Sequence, residues 1–274
     1  MIGAPDSSAF WPVVGGKCMQ EIAEWARQRP WGVGLEWGST GAMALGPGSA
    51  CVVVVDVLSF TTSVTVAVEA GTRVLPYPWR DGGAAEFAAR RDAALAVGRR
   101  AVSERQPWSL SPAALRAAPV AARLVLPSPN GSAIAAAVSG VPVVAACLRN
   151  ASAVARWIVE QGWGTVQRPV AVIAAGEHWP GREVLRPAVE DWLGAGAVVA
   201  ALARNGAGPL SPEARAASAT QQGITDVAAL IRDCASGREL ADGGFAQDVA
   251  VATELDVSSV VPVLTEGAFA DAAG

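Results

Sequence analysis

The chain has 274 residues, 51% of them apolar and only 17% charged, which supplies a sizeable core and excludes a disordered chain. A net charge of −4, with no Lys/Arg run beyond Arg90-Arg91 and Arg99-Arg100, argues against a nucleic-acid binder. The longest apolar stretches, Val141–Leu148 and Leu193–Ala203, are too short to cross a bilayer, and no basic segment followed by an apolar one opens the chain, so the expectation is a cytoplasmic protein with no membrane partner.

Residues 1–48 read as a poorly patterned lead-in containing Trp11, Trp25, Trp31 and Trp37. One helix is expected at Gly16–Arg29, where Met19, Ile22, Ala23 and Ala26 share a face and Pro30 stops it. Ala50–Val57 is a strand of the kind buried on both faces in a parallel sheet. A helix at Thr61–Ala70 ends at Gly71. A strand at Arg73–Tyr77, a helix at Ala84–Val97, a short strand at Arg100–Val102 and a short helix at Pro112–Ala117 follow. Then come the strand Arg123–Leu126, the turn Pro127–Gly131, the helix Ser132–Val138, the strand Val141–Cys147 and the helix Ala151–Gln161. The strand Pro169–Ala174, a loop at Gly176–Gly181 and the helix Arg186–Arg204 complete the pattern. Helices are expected at Pro212–Gln221, Thr225–Ala235 and Ala246–Thr253, a turn-rich stretch at Ser236–Gly244, and a closing strand at Ser259–Leu264. Strands alternating with helices of this length imply βαβ units and a mostly parallel α/β sheet. The domain organisation expected is a lead-in over 1–48, one α/β domain over 49–265 that allows two intertwined halves, and a frayed tail over 266–274.

Four cysteines, Cys18, Cys51, Cys147 and Cys234, lack disulfide or zinc spacing and read as separate buried thiols. No P-loop, no nucleophile elbow and no dinucleotide-binding glycine fingerprint appears. Leu58 stands two residues after Asp56, so the D-x-D of aspartyl-phosphate phosphatases is missing, and no cysteine precedes an arginine by six positions.

The polar residues at strand ends carry what chemistry remains, because ligands of open α/β sheets sit there. Asp56 closes a run of four valines, where a carboxylate needs a cation or donors to offset desolvation. It is either a ligand of a hard cation such as Mg²⁺ or a cap of the following turn. Thr61-Thr62 and Asn130-Gly131-Ser132 open helices and could receive phosphate or simply cap. Glu190-Asp191 places two acids about 100° apart on a helix, either turned inward toward a metal or solvated. Glu177 and the lone His178 follow a strand.

Read with these segments in view, the chain resembles the 2-phosphosulfolactate phosphatase family of coenzyme M biosynthesis. VVVVDVLSFTTSVTVAVEAG looks like its strand-acid-helix motif, SPNGSAIAAA is similar to its T-T-N-G-[ST] turn, and LRNASAVA matches its N-A-S-A-V-A helix start. AVEDWLGAGAVVAAL and GRELADGGFAQDVAVATELDVSSVVPVL resemble its acidic helix and closing segment, so that five ordered blocks span residues 50–265. The resemblance implies a three-layer α/β/α fold, Mg²⁺ dependence and cleavage of a phosphate ester on a small sulfonated hydroxy acid. Carried over, the metal and catalytic carboxylates are Asp56, Glu190 and Asp191. Substrate would meet Ser59, Thr61, Thr62, Asn130, Gly131, Ser132, Asn150, Glu177 and Arg186, together with Glu104 and Arg105 of Ser103-Glu104-Arg105, which stands where the family has G-E-R. Two departures stand out: Ser59 replaces an arginine of the family's D-V-L-R motif, and Ser103 replaces the glycine of G-E-R. The expected partner is a small anionic phosphorylated substrate, with a homo-oligomer compatible; the competing reading is a non-catalytic relative that binds a small anion.

Overall fold

Runs of Val and Ala form the centre of the molecule, because they can be buried on both faces of a sheet. The computed structural model describes residues 22–78, 82–182 and 184–272. Among them the strands are β1 (Val33–Trp37), β2 (Cys51–Val55), β3 (Arg73–Tyr77), β4 (Ala94–Leu95), β5 (Arg123–Pro127), β6 (Val143–Ala146), β7 (Val170–Ala174), β8 (Glu177–His178), β9 (Leu185–Arg186), β10 (Pro262–Thr265) and β11 (Ala268–Asp271). The helices are α1 (Gly38–Leu45), α2 (Phe60–Glu69), α3 (Gly83–Arg90), α4 (Pro112–Ala117), α5 (Gly131–Ala137), α6 (Ala151–Glu160), α7 (Val189–Arg204), α8 (Pro212–Gly223), α9 (Val227–Asp233), α10 (Ala235–Asp242) and α11 (Ala246–Ala252).

Side chains alternate along a strand, so β2 feeds two cores. Cys51, Val53 and Val55 pack with Val154 and Ile158 of α6 and Leu193, Val198 and Leu202 of α7. Val52 and Val54 pack on the other side with Phe60 and Val64 of α2 and Ile134 of α5. The result is the expected three-layer α/β/α arrangement. The sheet order is β1-β7-β2-β6-β10-β11-β3-β5-β4. β1, β7, β2 and β6 are mutually parallel, and so are β3, β5 and β4. Three antiparallel steps through the β10–β11 hairpin separate these groups, so they run in opposite directions. The chain visits the first group, then the second, then the first again, and the two halves are interleaved. Five steps separate β2 from β5 in the sheet order, yet the loops after them meet, Gly131 N donating to Asp56 Oδ2.

Several sequence expectations are corrected. The lead-in holds β1 and α1, and β1 pairs along its whole length with β7. Of the helix expected at Gly16–Arg29, residues 16–21 lie outside the described residues, and Glu24–Arg27 form a 3₁₀ turn. The tail does not fray up to residue 272. Glu266 and Gly267 take positive φ (53° and 80°), the requirement of a two-residue hairpin turn, and β11 returns beside β10. Phe269 of β11 is fully buried, edge-on to Phe60 at 6.1 Å. The helix expected over Ala84–Val97 stops at Arg90, since Asp92 adopts φ 47° and the chain turns into β4. Arg99–Ala101 is a 3₁₀ turn instead of a strand. The stretch read as turn-rich is the helix α10, capped by Cys234, whose Sγ accepts from Gly237 N. Cys51 and Cys147 are buried free thiols, as expected, whereas Cys234 is partly exposed. No helix among the described residues is long and apolar enough to cross a membrane.

Candidate active site

Asp56 follows β2 directly and is almost fully buried. Its Oδ1 accepts from Phe60 N at 3.0 Å and its Oδ2 from Gly131 N at 2.9 Å. One carboxylate thus joins the openings of α2 and α5, one from each half of the sheet. Asp191 does the same on the other flank: Oδ1 accepts from Val57 N at 2.7 Å and Oδ2 from Gly176 N at 2.8 Å. Both acids spend both oxygens on backbone amides. Trp192 next to Asp191 stacks on Trp37 at the end of β1, with centroids 5.8 Å apart, and so fixes the start of α7.

Two glutamates are less committed. Glu190 is buried, and its Oε2 accepts from the Cys234 thiol at 3.3 Å, while its other oxygen accepts no hydrogen bond from the described residues. Glu177 sits on the β8–β9 hairpin directly opposite Arg186. Its Oε2 accepts from Asn130 Nδ2 at 2.9 Å, and Asn130 Oδ1 lies 3.1 Å from His178 Nδ1. The Asn130 turn therefore clamps the hairpin over the strand ends. Arg186 also donates to Ser236 Oγ at 3.3 Å.

Four carboxylates in one place repel one another. Burial, and then the Asp56 charge, raise the Glu177 carboxyl to about 7. Burial, then the charges of Asp56 and Glu190, push Asp191 well above the carboxylate range. Burial raises Asp56 too, against the pull of the Phe60 and Gly131 amides. These groups hold protons more tightly folded than unfolded, so the folded chain binds more protons through this window. In the absence of divalent cations, stability is therefore expected to fall as pH rises from 4.5 through about 7. Glu177→Gln keeps an acceptor for Asn130 and removes one charge. Its melting temperature should exceed the parent's at pH 8 and match it near pH 4.5. Parallel melting curves for the two proteins would show that Glu177 does not contribute.

The other sequence candidates divide by what their side chains already do. Thr61 Oγ1 accepts from Asp56 N and donates to Asp56 O, and Thr62 Oγ1 donates to Val57 O; both lock the β2–α2 loop. Thr61 N also bonds Asp56 O, so the α2 opening keeps few amides for a phosphate. Ser132 Oγ donates to Leu126 O. Asn150 accepts from Cys147 N and donates to Ala145 O and Val260 O, which uses its amide group for the β6–α6 turn and leaves nothing for substrate. Glu104 and Arg105 lie exposed in the Ser103–Gln106 turn and make no hydrogen bond or ion pair with the acids.

Arg99 was not singled out by sequence reading, yet it reaches the cluster. It donates to Ser59 Oγ at 2.7 Å and to Asp248 Oδ2 at 2.8 Å, and its charge is felt by Asp56. A small hydroxyl at position 59 leaves room for this guanidinium. Cys234, Asp248 and the hairpin pairing of Glu177 with Arg186 were equally out of reach of linear patterns.

A family profile described as 2-phosphosulpholactate phosphatase matches residues 44–267. A protein of Thermotoga petrophila named probable 2-phosphosulfolactate phosphatase is 28% identical over 222 residues, which is 79% of this chain and 90% of that one. With the profile covering most of the chain, this protein belongs to the 2-phosphosulpholactate phosphatase family of phosphoric monoester hydrolases.

Proposed function

We propose that the protein hydrolyses 2-phosphosulfolactate, or a close phosphorylated sulfo-hydroxy acid, with Mg²⁺ as cofactor. The observation that carries this reading is the convergence of Asp56, Glu177, Glu190 and Asp191 at the strand ends, where mutual repulsion calls for a cation.

Among the described residues no three His, Cys, Asp or Glu side chains form a metal cage. Mg²⁺ does not need one: it is commonly held through one or two carboxylates and completed by water and substrate phosphate. Glu190 and Glu177, each with an oxygen that accepts no hydrogen bond from the described residues, fit that pattern. Asp56 and Asp191, expected with Glu190 as metal ligands, also hold the loops that frame the site. When bound, the ion would offset charge on the phosphoryl oxygens and favour attack by water. Arg186 would add positive charge from the hairpin, and Asn130 would keep Glu177 aimed inward.

Phosphate release from 2-phosphosulfolactate should require Mg²⁺, stop with EDTA and resume on adding the ion back. Glu190→Gln should raise the Mg²⁺ concentration needed for half-maximal rate by on the order of tenfold or more. Absence of turnover on a broad phosphomonoester panel with Mg²⁺ would overturn the proposal.

A further inference from the structure

The substrate class proposed above carries a carboxylate and a sulfonate besides its phosphate, and a site lined by carboxylates must provide a cation for them. Among the described residues, Arg186 acts on Glu177 and Arg99 on Asp56. Arg186 shares the hairpin with Glu177. Arg99 comes from the other half of the sheet, just after β4.

Arg99 is held in advance of any ligand. Nε donates to Asp248 Oδ2 and Nη2 to Ser59 Oγ, and the guanidinium carbon stands 5.6 Å from the centroid of Phe245. Asp248 is itself buried and accepts from Ser111 Oγ at 2.5 Å and Ala113 N at 3.3 Å. Three segments, the α2 opening, the α4 opening and the start of α11, therefore fix one side chain. Ordering a long side chain before binding removes an entropic cost from the binding step. The Arg99 side chain keeps 17% of its surface exposed. Two of its five N–H donors are used, and no other partner for the remaining three exists among the described residues. An arginine fork with free donors takes a sulfonate or carboxylate by paired charge-assisted hydrogen bonds.

We propose that Arg99 is a specificity-determining residue that binds a non-transferred acid group of the substrate, its sulfonate or its carboxylate, with Asp248 and Ser59 as positioning residues. This rests on the phosphatase reading for the identity of the substrate but not for the binding itself. The test therefore starts with sulfolactate, which carries no phosphate, titrated calorimetrically into the full chain. Parent protein should bind it; Arg99→Ala should weaken binding by on the order of tenfold or more, and Arg99→Lys, which keeps charge without the fork, should fall between. Inorganic phosphate should bind parent and variants with similar affinity. In turnover, Arg99→Ala should lower kcat/KM for 2-phosphosulfolactate relative to a phosphomonoester with a neutral tail, chiefly through KM. Circular dichroism and melting of the Lys variant guard against misfolding. If the parent binds no sulfolactate, or Arg99→Ala binds it as well as the parent, the proposal is overturned. If sulfolactate binding depends on Arg99 while no phosphoester is hydrolysed, the phosphatase reading fails and the assignment of Arg99 stands.

Discussion

Replacing Asp56 with asparagine is expected to lower phosphatase activity by on the order of a hundredfold and to lower stability as well. As a plain helix cap, Asp56 would tolerate Asn, which caps as well as Asp. The geometry gives another answer. The carboxylate accepts from Phe60 N at 3.0 Å and from Gly131 N at 2.9 Å, and these amides open different helices in different halves of the sheet. Asn has one acceptor oxygen, so its NH₂ group must face one of two buried N–H donors. Leaving such a donor unpaired costs about 1–3 kcal/mol. Removing a charge that burial and Glu190 disfavour offsets part of this. A net loss of about 1–2 kcal/mol follows, with the Asn130 turn released from β2. Melting and phosphate release measured on one preparation check both parts. An Asn variant with parental melting and turnover would show that the bridge is not needed.

That contrast shows what linear patterns carry. The buried strands were legible because Val and Ala runs bounded by Gly and Pro admit few other structures, and β3 and α4 fall where the pattern put them. Asp56, Asn130, Glu177 and Glu190 were legible as acids or amides at strand ends. Their division of labour was not, because it depends on where backbone amides from distant segments point. Asp191, 134 positions after Val57, meets its amide only once α7 docks on β2. Arg99 was hidden because its anchor, Asp248, lies 149 positions away. β11 was missed because a strand of four residues becomes visible only when Glu266-Gly267 is seen as a turn that accepts two positive φ values.

Gly131 is expected to be the least replaceable residue of the site. Helix propensity alone favours Ala over Gly by about 1 kcal/mol inside a helix. Packing reverses the sign. A Cβ at position 131 would lie 2.8 Å from Asp56 Oδ2 and 2.9 Å from Phe60 Cγ, closer than real Cβ atoms approach. Phe60 cannot yield: it is fully buried and set edge-on against Phe269, which belongs to the strand that joins the two halves. Moving α5 instead would break the bond from Gly131 N to Asp56 and pull Asn130 off Glu177. Overpacking of this kind costs about 1–3 kcal/mol, and the lost charge-assisted bond adds to it. Gly131→Ala should therefore lower the melting temperature by roughly 4–12 °C, at about 2–4 °C per kcal/mol for a chain of this size, and abolish most turnover. Gly223→Ala is the control, since a Cβ there meets nothing within 4 Å; it should leave stability unchanged or slightly raised. Phe60→Leu in the Gly131→Ala background should restore part of the lost stability, because it removes the ring that the methyl strikes. A Gly131→Ala protein that melts and turns over like the Gly223→Ala protein would mean that the two helix openings are not packed against each other through Asp56.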